Sequence, residues 1–417
     1  MQHIHSKDIF YLLRDTLKLF DRRPIVHGGK VAYYVYMMLK QKGQLEPKSR
    51  LENFELADII YLATFHDIGA YKTDEMEQMV RFETKNYQPH SLYGQLFFEK
   101  MTTIGDLSKV ILYHHTDYAV LSKMGFDQSE LTSYINFAEA IDIFKQSLGA
   151  KFSLDIFKKN VGTKFSPEAF DLFLKADKEH DLFERINSRA YMDEISEVMD
   201  FFIMTNEDKE KSLELLMFTL ALKSTIIIDN AAVCVALCEK LGALMKLSAE
   251  QKKDLLYAAY VHDIGFIAFR KDWLENPPDL STAYLDKLSQ HTLLMEQLLK
   301  DRIKREIIVI AATHHERVDG KGYPRRLKEK QMNLSQLILQ FSDAVAPMMK
   351  QEFDKEELIA KIKRQTEAGQ FSQAVTKLFI DKFDEIAIDT KVRSNAMLNH
   401  FKEINRQYEK SIKETDI

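Results

Sequence analysis

The strongest constraint on this 417-residue chain is that it spells one histidine-rich pattern twice. "FHDIGAYKTDE" begins at Phe65 and "VHDIGFIAFRK" at Val261. In the first copy His66-Asp67 is followed by His90, the pair His114-His115, Glu139 and then "GTKFSPEAF" from Gly162. In the second, His262-Asp263 is followed by His291, His314-His315, Asp343 and "GQFSQAV" from Gly369. The steps are 24 and 29 residues to the single histidine, then 24 and 23 to the double one. A further 25 and 29 lead to the acidic residue, and 26 and 28 to the phenylalanine of G-x-F-S (Phe165, Phe371). Five landmarks in one order at near-constant spacing mark a duplication. Such a chain is expected to fold as two related units, divided in the charged stretches "KADKEHD" and "TNEDKEKS".

Between the landmarks, apolar residues recur at three- and four-residue intervals, as in "ADIIYLATFHDIG" and "REIIVIAATHH". This is the pattern of helices packed along one face. No alternation at period two stands out, and glycine and proline number only 14 and 8. The expectation is an all-α fold of two tandem helical domains with a helical connector. The boundaries read as 10–180, a connector at 181–220, a second domain at 221–400 and a terminal helix or tail at 401–417, taken as solvent-facing.

Several function classes are disfavoured. No glycine-rich phosphate loop is present, which argues against a dinucleotide-binding fold. A net charge of −5 gives no general footprint for a DNA or RNA polymer. The most apolar run, "STIIIDNAAVCVALC", is broken by Asp229 and Asn230 short of the ~20 residues a membrane span needs. With no signal-like start and only Cys234 and Cys238, the chain reads as cytoplasmic and free of a membrane anchor. The two cysteines, four apart on a helix, read as core filler rather than ligands.

Nine of the 13 histidines belong to or flank the landmarks, at the ends of otherwise apolar helices. Neutral imidazole and carboxylate suit divalent iron, manganese, zinc or nickel. Neighbouring His and Asp on a helix point about 100° apart, so both reach one site only beside the helix end, and the glycine two positions later fits such an end. A carboxylate can bridge two metals that hold a hydroxide and clamp a phosphoryl group. The first copy offers His27, His66, Asp67, His90, His114, His115 and Glu139. The second offers His262, Asp263, His291, His314, His315 and Asp343. Without cysteine among these donors, paired metals for phosphate-ester hydrolysis fit better than a structural zinc knot.

With "HHERVDGKGYP" from His314 to Pro324, followed by Ser342-Asp343, the second copy resembles the HD superfamily of metal-dependent phosphohydrolases, and within it the HD-GYP branch. The first copy resembles it in "HDIG", "HSLYG", "YHH" and "GTKFSPEAF" but has "HHTDYAVLSKMG" in place of Gly-Tyr-Pro. The resemblance implies an all-helical fold and two or more divalent metals at a functional site, iron or manganese foremost, with zinc or nickel as alternatives. It implies hydrolysis of cyclic di-GMP, with Asp67 and Asp263 as bridging carboxylates and His27 as the early histidine of the first copy.

That early histidine has no counterpart in the second copy, where Asp229 is a poor substitute in register. Ala70 and Phe266 stand where the family has a phosphate-contacting lysine. Lys72 is the expected replacement in the first copy, if "AYKTDE" turns it inward, whereas Arg270 and Lys271 lie too far along. The resemblance assigns dinucleotide recognition to Arg317, Asp319, Gly320, Lys321, Gly322, Tyr323 and Pro324. Glycines free the turn, proline fixes it, and Tyr323 can stack on a base. Arg325 and Arg326 add positive charge. Both halves are expected to hold metal. The alternatives are hydrolysis of another nucleotide or phosphate ester, or a non-catalytic metal- or nucleotide-binding sensor or scaffold. A homodimer or a signalling partner is left open.

Overall fold

The helices leading into the two His-Asp pairs are buried where they approach those pairs. Leu56–Thr64 buries Leu56, Ala57, Ile59, Ile60, Tyr61, Leu62, Ala63 and Thr64. Ala249–Val261 starts at a reciprocal cap between Ser248 and Gln251 and ends in the buried run Tyr257 to Val261. Burial of their last turns explains why these stretches read as apolar on most sides there. The computed structural model describes residues 4–43, 50–51, 54–73, 88–102, 104–275, 286–350 and 354–414. As expected, the fold is all-α. Among the described residues the sheet structure is one short antiparallel pair, Arg50–Leu51 with Phe54–Glu55. No described helix is long and apolar enough to cross a membrane.

The chain divides into two units, neither of them a continuous stretch. One joins Asp21–Thr205 with Ile404–Ile417, the other Met1–Phe20 with Asn206–Glu403. In the first, here the N-terminal half, Arg22–Gln41 packs against Leu56–Thr64, Ser129–Leu148 and Pro167–His180. In the second, the C-terminal half, Thr225–Leu244 packs against Ala249–Val261 and Leu334–Lys350. Ser6–Phe20 packs in that same half, against the turn Ile264–Ala268 and the helices Asn206–Phe218 and Gln290–Leu299.

The G-x-F-S landmark has a packing role that is the same in both halves. Phe165 meets Phe137 with ring centroids 5.5 Å apart, and Phe371 meets Phe341 at 5.1 Å. Phe137 and Phe341 each stand two residues before the acidic landmark, so this contact seats the helix that presents Glu139 or Asp343.

The chain's end departs from its reading as a solvent-facing tail. It closes the 32-residue helix Phe383–Glu414, in which Phe401 stacks on Phe218 at 5.8 Å within the C-terminal half. Farther on, Ile404 is buried, and Tyr408 meets Tyr93 edge-on at 5.3 Å within the N-terminal half. The apolar residues are spread thinly among charges there, which hid a buried stripe.

Candidate metal centres

Each His-Asp pair stands where an α-helix gives way to a 3-10 turn, Ile68–Tyr71 in one half and Ile264–Ala268 in the other. The glycine inside the turn does more than end a helix. A Cβ on Gly69 would lie 2.0 Å from the carbonyl oxygen of His90, and one on Gly265 would lie 2.0 Å from that of His291. Only glycine lets the next histidine's helix approach that closely. The motif therefore carries its own docking surface for the next donor.

The resulting geometry is nearly identical in the two halves. His66 Nε2 is 3.4 Å from Asp67 Oδ2, while His90 Nε2 and His114 Nε2 are 3.7 and 3.6 Å from Asp67 Oδ1. His262 Nε2 is 3.3 Å from Asp263 Oδ2, with His291 and His314 again 3.7 and 3.6 Å from Oδ1. One carboxylate thus turns its two oxygens toward different imidazoles. The second histidine of each pair meets the acidic landmark: His115 Nδ1 is 3.3 Å from Glu139, and His315 Nδ1 is 3.4 Å from Asp343.

Backbone contacts set the tautomers. The Nδ1–H groups of His66, His114, His262, His291 and His314 each donate to the carbonyl three residues earlier, at 2.5–2.8 Å. Their Nε2 lone pairs then face the site, the arrangement that suits a metal ligand. His291 Nε2 and His314 Nε2 lie 3.0 Å apart. With both Nδ1 atoms already donating, two neutral rings have no proton to share there, and a cation relieves the opposed lone pairs.

The buried atoms tell the same story. His66 Nε2, Asp67 Oδ1, His114 Nε2, His262 Nε2, Asp263 Oδ1 and His315 Nε2 have no hydrogen-bond partner. Leaving one buried polar group unsatisfied costs about 1–3 kcal/mol, more when it is charged. The donor set fits divalent ions, which would satisfy all six at once. Groups of donor atoms within 4.8 Å of one another include Asp67, His90, His114 and His115, then His66, His114 and Glu139, and also His291, His314 and His315.

The electrostatics differ between halves more than the distances do. Burial pushes His66 down to about 4 despite the pull of Asp67. His262 is buried too, yet Asp263 and Asp343 together raise it well above the ordinary histidine value. Burial opposes ionisation of Asp67, but the imidazoles around it hold it well below the usual carboxylate range. Burial and the charge of Asp67 push Glu139 well up.

Residues 214–370 match the family model for an HD domain. This match places an HD domain over most of the C-terminal half. The chain is 22% identical, over 82% of its own length and 82% of the relative's, to 3′3′-cGAMP-specific phosphodiesterase 1 of Vibrio cholerae. It is 37% identical to a cyclic di-GMP phosphodiesterase of Thermotoga maritima, over 23% of this chain and 27% of that protein. The crystal structure of a cyclic GMP-AMP-specific phosphodiesterase of V. cholerae, 12% identical, shares the fold with a TM-score of 0.52 over 92% of this chain and 98% of the other.

Around this HD core, the donor groups extend beyond the repeated landmarks. His27 joins His66 and Asp67 as a donor group. Its Nδ1 is held 2.7 Å from Asp142, which also accepts from Lys30 at 2.9 Å. Asp142 lies one turn beyond Glu139, a spacing that could have revealed it. In the C-terminal half, Asn230 takes the place of His27, and Asp229 does not. Each is the sixth residue of its helix, and each lies sixteen positions before a residue with left-handed backbone, Gly43 (φ 78°) and Lys246 (φ 58°).

The lysine question resolves in part. Phe266 lies flat on His291, with centroids 4.0 Å apart and planes 15° apart. Lys72 is exposed at the end of its turn, and residues 74–75 of "AYKTDE" lie outside the described residues.

The Gly-Tyr-Pro segment forms a braced loop. Glu316, fully buried, accepts from the backbone N–H groups of Arg325 at 2.6 Å and Leu327 at 2.8 Å. A Cβ on Gly322 would lie 2.4 Å from the Glu316 and Arg317 backbone, which explains that glycine. The Tyr323–Pro324 peptide is cis, and Tyr323 faces His315 at 4.7 Å. Arg317, which lines the cavity described below, is engaged by both oxygens of Asp319 and by the carbonyl of Ala368. Arg325 likewise grips Glu296 with two bonds of 2.6 and 2.7 Å. Glu316 was missed because a lone glutamate after two histidines carries no spacing signal.

A cavity of about 620 Å³ opens on the C-terminal centre. It is lined by Asp263, His314, His315 and Asp343, by Lys321, Gly322 and Tyr323 of the loop, and by the apolar Ile226, Ile227 and Phe266.

Proposed function

We propose that the chain is a phosphodiesterase for a 3′,3′-cyclic dinucleotide, cyclic di-GMP or its GMP-AMP counterpart, and that the C-terminal half binds it. The observation that supports this best is the cavity of about 620 Å³ that is lined both by the His-Asp cluster and by the Gly-Tyr-Pro loop. Its size falls within the usual range for small-molecule sites. The relatives act, by their names, on cyclic dinucleotides of these two kinds.

In this reading each half holds two divalent ions, iron or manganese. The ligands would be His66, Asp67, His90, His114, His115, Glu139 and His27 in one half, and His262, Asp263, His291, His314, His315 and Asp343 in the other. Asp67 and Asp263 would bridge, because their two oxygens face separate imidazoles. Ions bound there supply Lewis acidity toward a phosphoryl oxygen and lower the pKa of water. The protein's own part is orientation. Backbone carbonyls hold the imidazoles with Nε2 inward, Glu316 fixes the loop, and Tyr323 presents a ring face beside the centre. The apolar side of Ile226, Ile227 and Phe266 suits a base and sheds water from it.

The test is anaerobic turnover of cyclic di-GMP and of 3′3′-cyclic GMP-AMP by iron- or manganese-loaded protein, with the linear dinucleotide and mononucleotides separated. Formation of either product supports the proposal. Folded, metal-filled protein that makes neither would move the assignment to another phosphate ester or to a sensing role.

A further inference from the structure

One donor atom near the C-terminal centre belongs to neither ligand set. Cys234, on helix Thr225–Leu244, is 1% exposed, and its Sγ and donor atoms of His262 and Asp343 all lie within 4.8 Å of one another. His262 Nε2, itself 1% exposed, points into this group with no hydrogen-bond partner, although two carboxylates stand 3.3 and 3.5 Å away. This is a buried donor still wanting a cation.

The comparison with the other half sharpens the point. Cys234 lies twelve positions before the left-handed Lys246, and Val31 lies twelve before the left-handed Gly43. At this register the N-terminal half has a hydrocarbon and the C-terminal half a thiol. One turn earlier the reverse holds: His27 offers an imidazole, while Asn230 has replaced it. Residues four apart share a helix face, so Asn230 and Cys234 are addressed to the same region.

We propose that Cys234 is a thiolate ligand of a divalent transition metal in the C-terminal centre, supplying one turn along the helix the donor that His27 supplies in the N-terminal half. Binding would release the thiol proton to solvent and form one sulfur–metal bond, with no change of oxidation state. A soft sulfur donor biases that centre toward iron(II), zinc or cobalt(II) over manganese or magnesium, so the two halves would differ in metal preference. The inference rests on the metal-centre reading above but not on turnover.

The test uses the full chain loaded anaerobically with cobalt(II) alone. Cobalt held by imidazole and carboxylate gives weak visible bands, and a thiolate ligand adds strong near-ultraviolet charge-transfer absorption. Since the sequence has only Cys234 and Cys238, the source of that absorption is unambiguous. The expected result is charge-transfer absorption in the parent and in Cys238→Ser, and its loss in Cys234→Ser with the visible bands kept. Cys234→Val, the residue of the other half, serves as a second variant should serine disturb packing. Visible bands without charge transfer in the parent would overturn the thiolate while leaving the metal centre standing. Absorption that survives in both Cys234 variants, or disappears only in Cys238→Ser, would overturn it as well. Absence of all cobalt bands would remove the metal-centre reading and this inference with it.

Discussion

The two halves agree within about 0.1 Å in how far the first carboxylate stands from three imidazoles, yet they differ in nearly everything around that core. The N-terminal half keeps His27, ties it to Asp142 and Lys30, and ends its ligand list with a glutamate. The C-terminal half puts Asn230 and Cys234 on the matching helix, lays Phe266 over His291 and opens a cavity beneath a braced loop. The carboxylate–imidazole core has therefore stayed the same while its surroundings have diverged. Keeping six unsatisfied buried atoms across two centres is costly unless cations fill them, which accounts for the matching geometry of a half that lacks the Gly-Tyr-Pro loop.

The largest expected effect separates the halves directly. Asp263→Ala should lower turnover by more than the ~10–100-fold that loss of an outer-shell partner costs a metal site, whereas Asp67→Ala should leave most of it. Equal losses in a kinetic assay of both variants would show that the centres act together. A second comparison concerns metal content. Asp142→Asn removes the carboxylate that orients His27 and should weaken metal binding in the N-terminal half by about 10- to 100-fold. Titration with a chelator as competitor should then show one weakened class of site and one unchanged.

Two further variants probe smaller effects. Gly265→Ala drives a Cβ into the His291 carbonyl, and overpacking of this kind costs about 1–3 kcal/mol. Thermal melting should register the loss, together with reduced metal in the C-terminal half, and Gly69→Ala should act alike in the other. A neutral melting response in either would show that the docking of the helix bearing His90 or His291 is looser than the geometry implies. Lys321→Ala is the mildest. Its ammonium lies at the cavity edge, 4.0 Å from Asp319, and an exposed charge of this type contributes about 0.2–1 kcal/mol. KM should rise a few-fold with kcat unchanged; a fall in kcat would place Lys321 in the chemistry instead.

Much of this was legible in the sequence because helices and buried histidines announce themselves locally. The apolar period marked the helices, and the repeat of His-Asp, His, His-His and an acid pointed to the side chains that converge in each half. Other features required three dimensions. Asp142, Glu316 and Cys234 matter through what they touch across the packing, and of the three only Asp142, one turn beyond Glu139, has a sequence neighbour that hints at it. The carboxylates that hold Arg317 and Arg325, Asp319 and Glu296, are likewise seen only in the folded chain. Cys234 looked like core filler because a buried thiol and a hydrocarbon fit the same helix pattern, and only the facing His262 and Asp343 tell them apart.

The exchange of chain ends has a consequence for how the protein comes into being. The first helix, Ser6–Phe20, packs with residues made some 200 positions later, and the segment from Ile404 belongs with the half that starts at Asp21. During synthesis, domains generally fold in order as they emerge. Here the earlier half still lacks its last helical turns when all its other residues have left the ribosome, and the opening helix must wait unpartnered for the later half. A chain stopped just short of its end would be damaged in the half that was translated first.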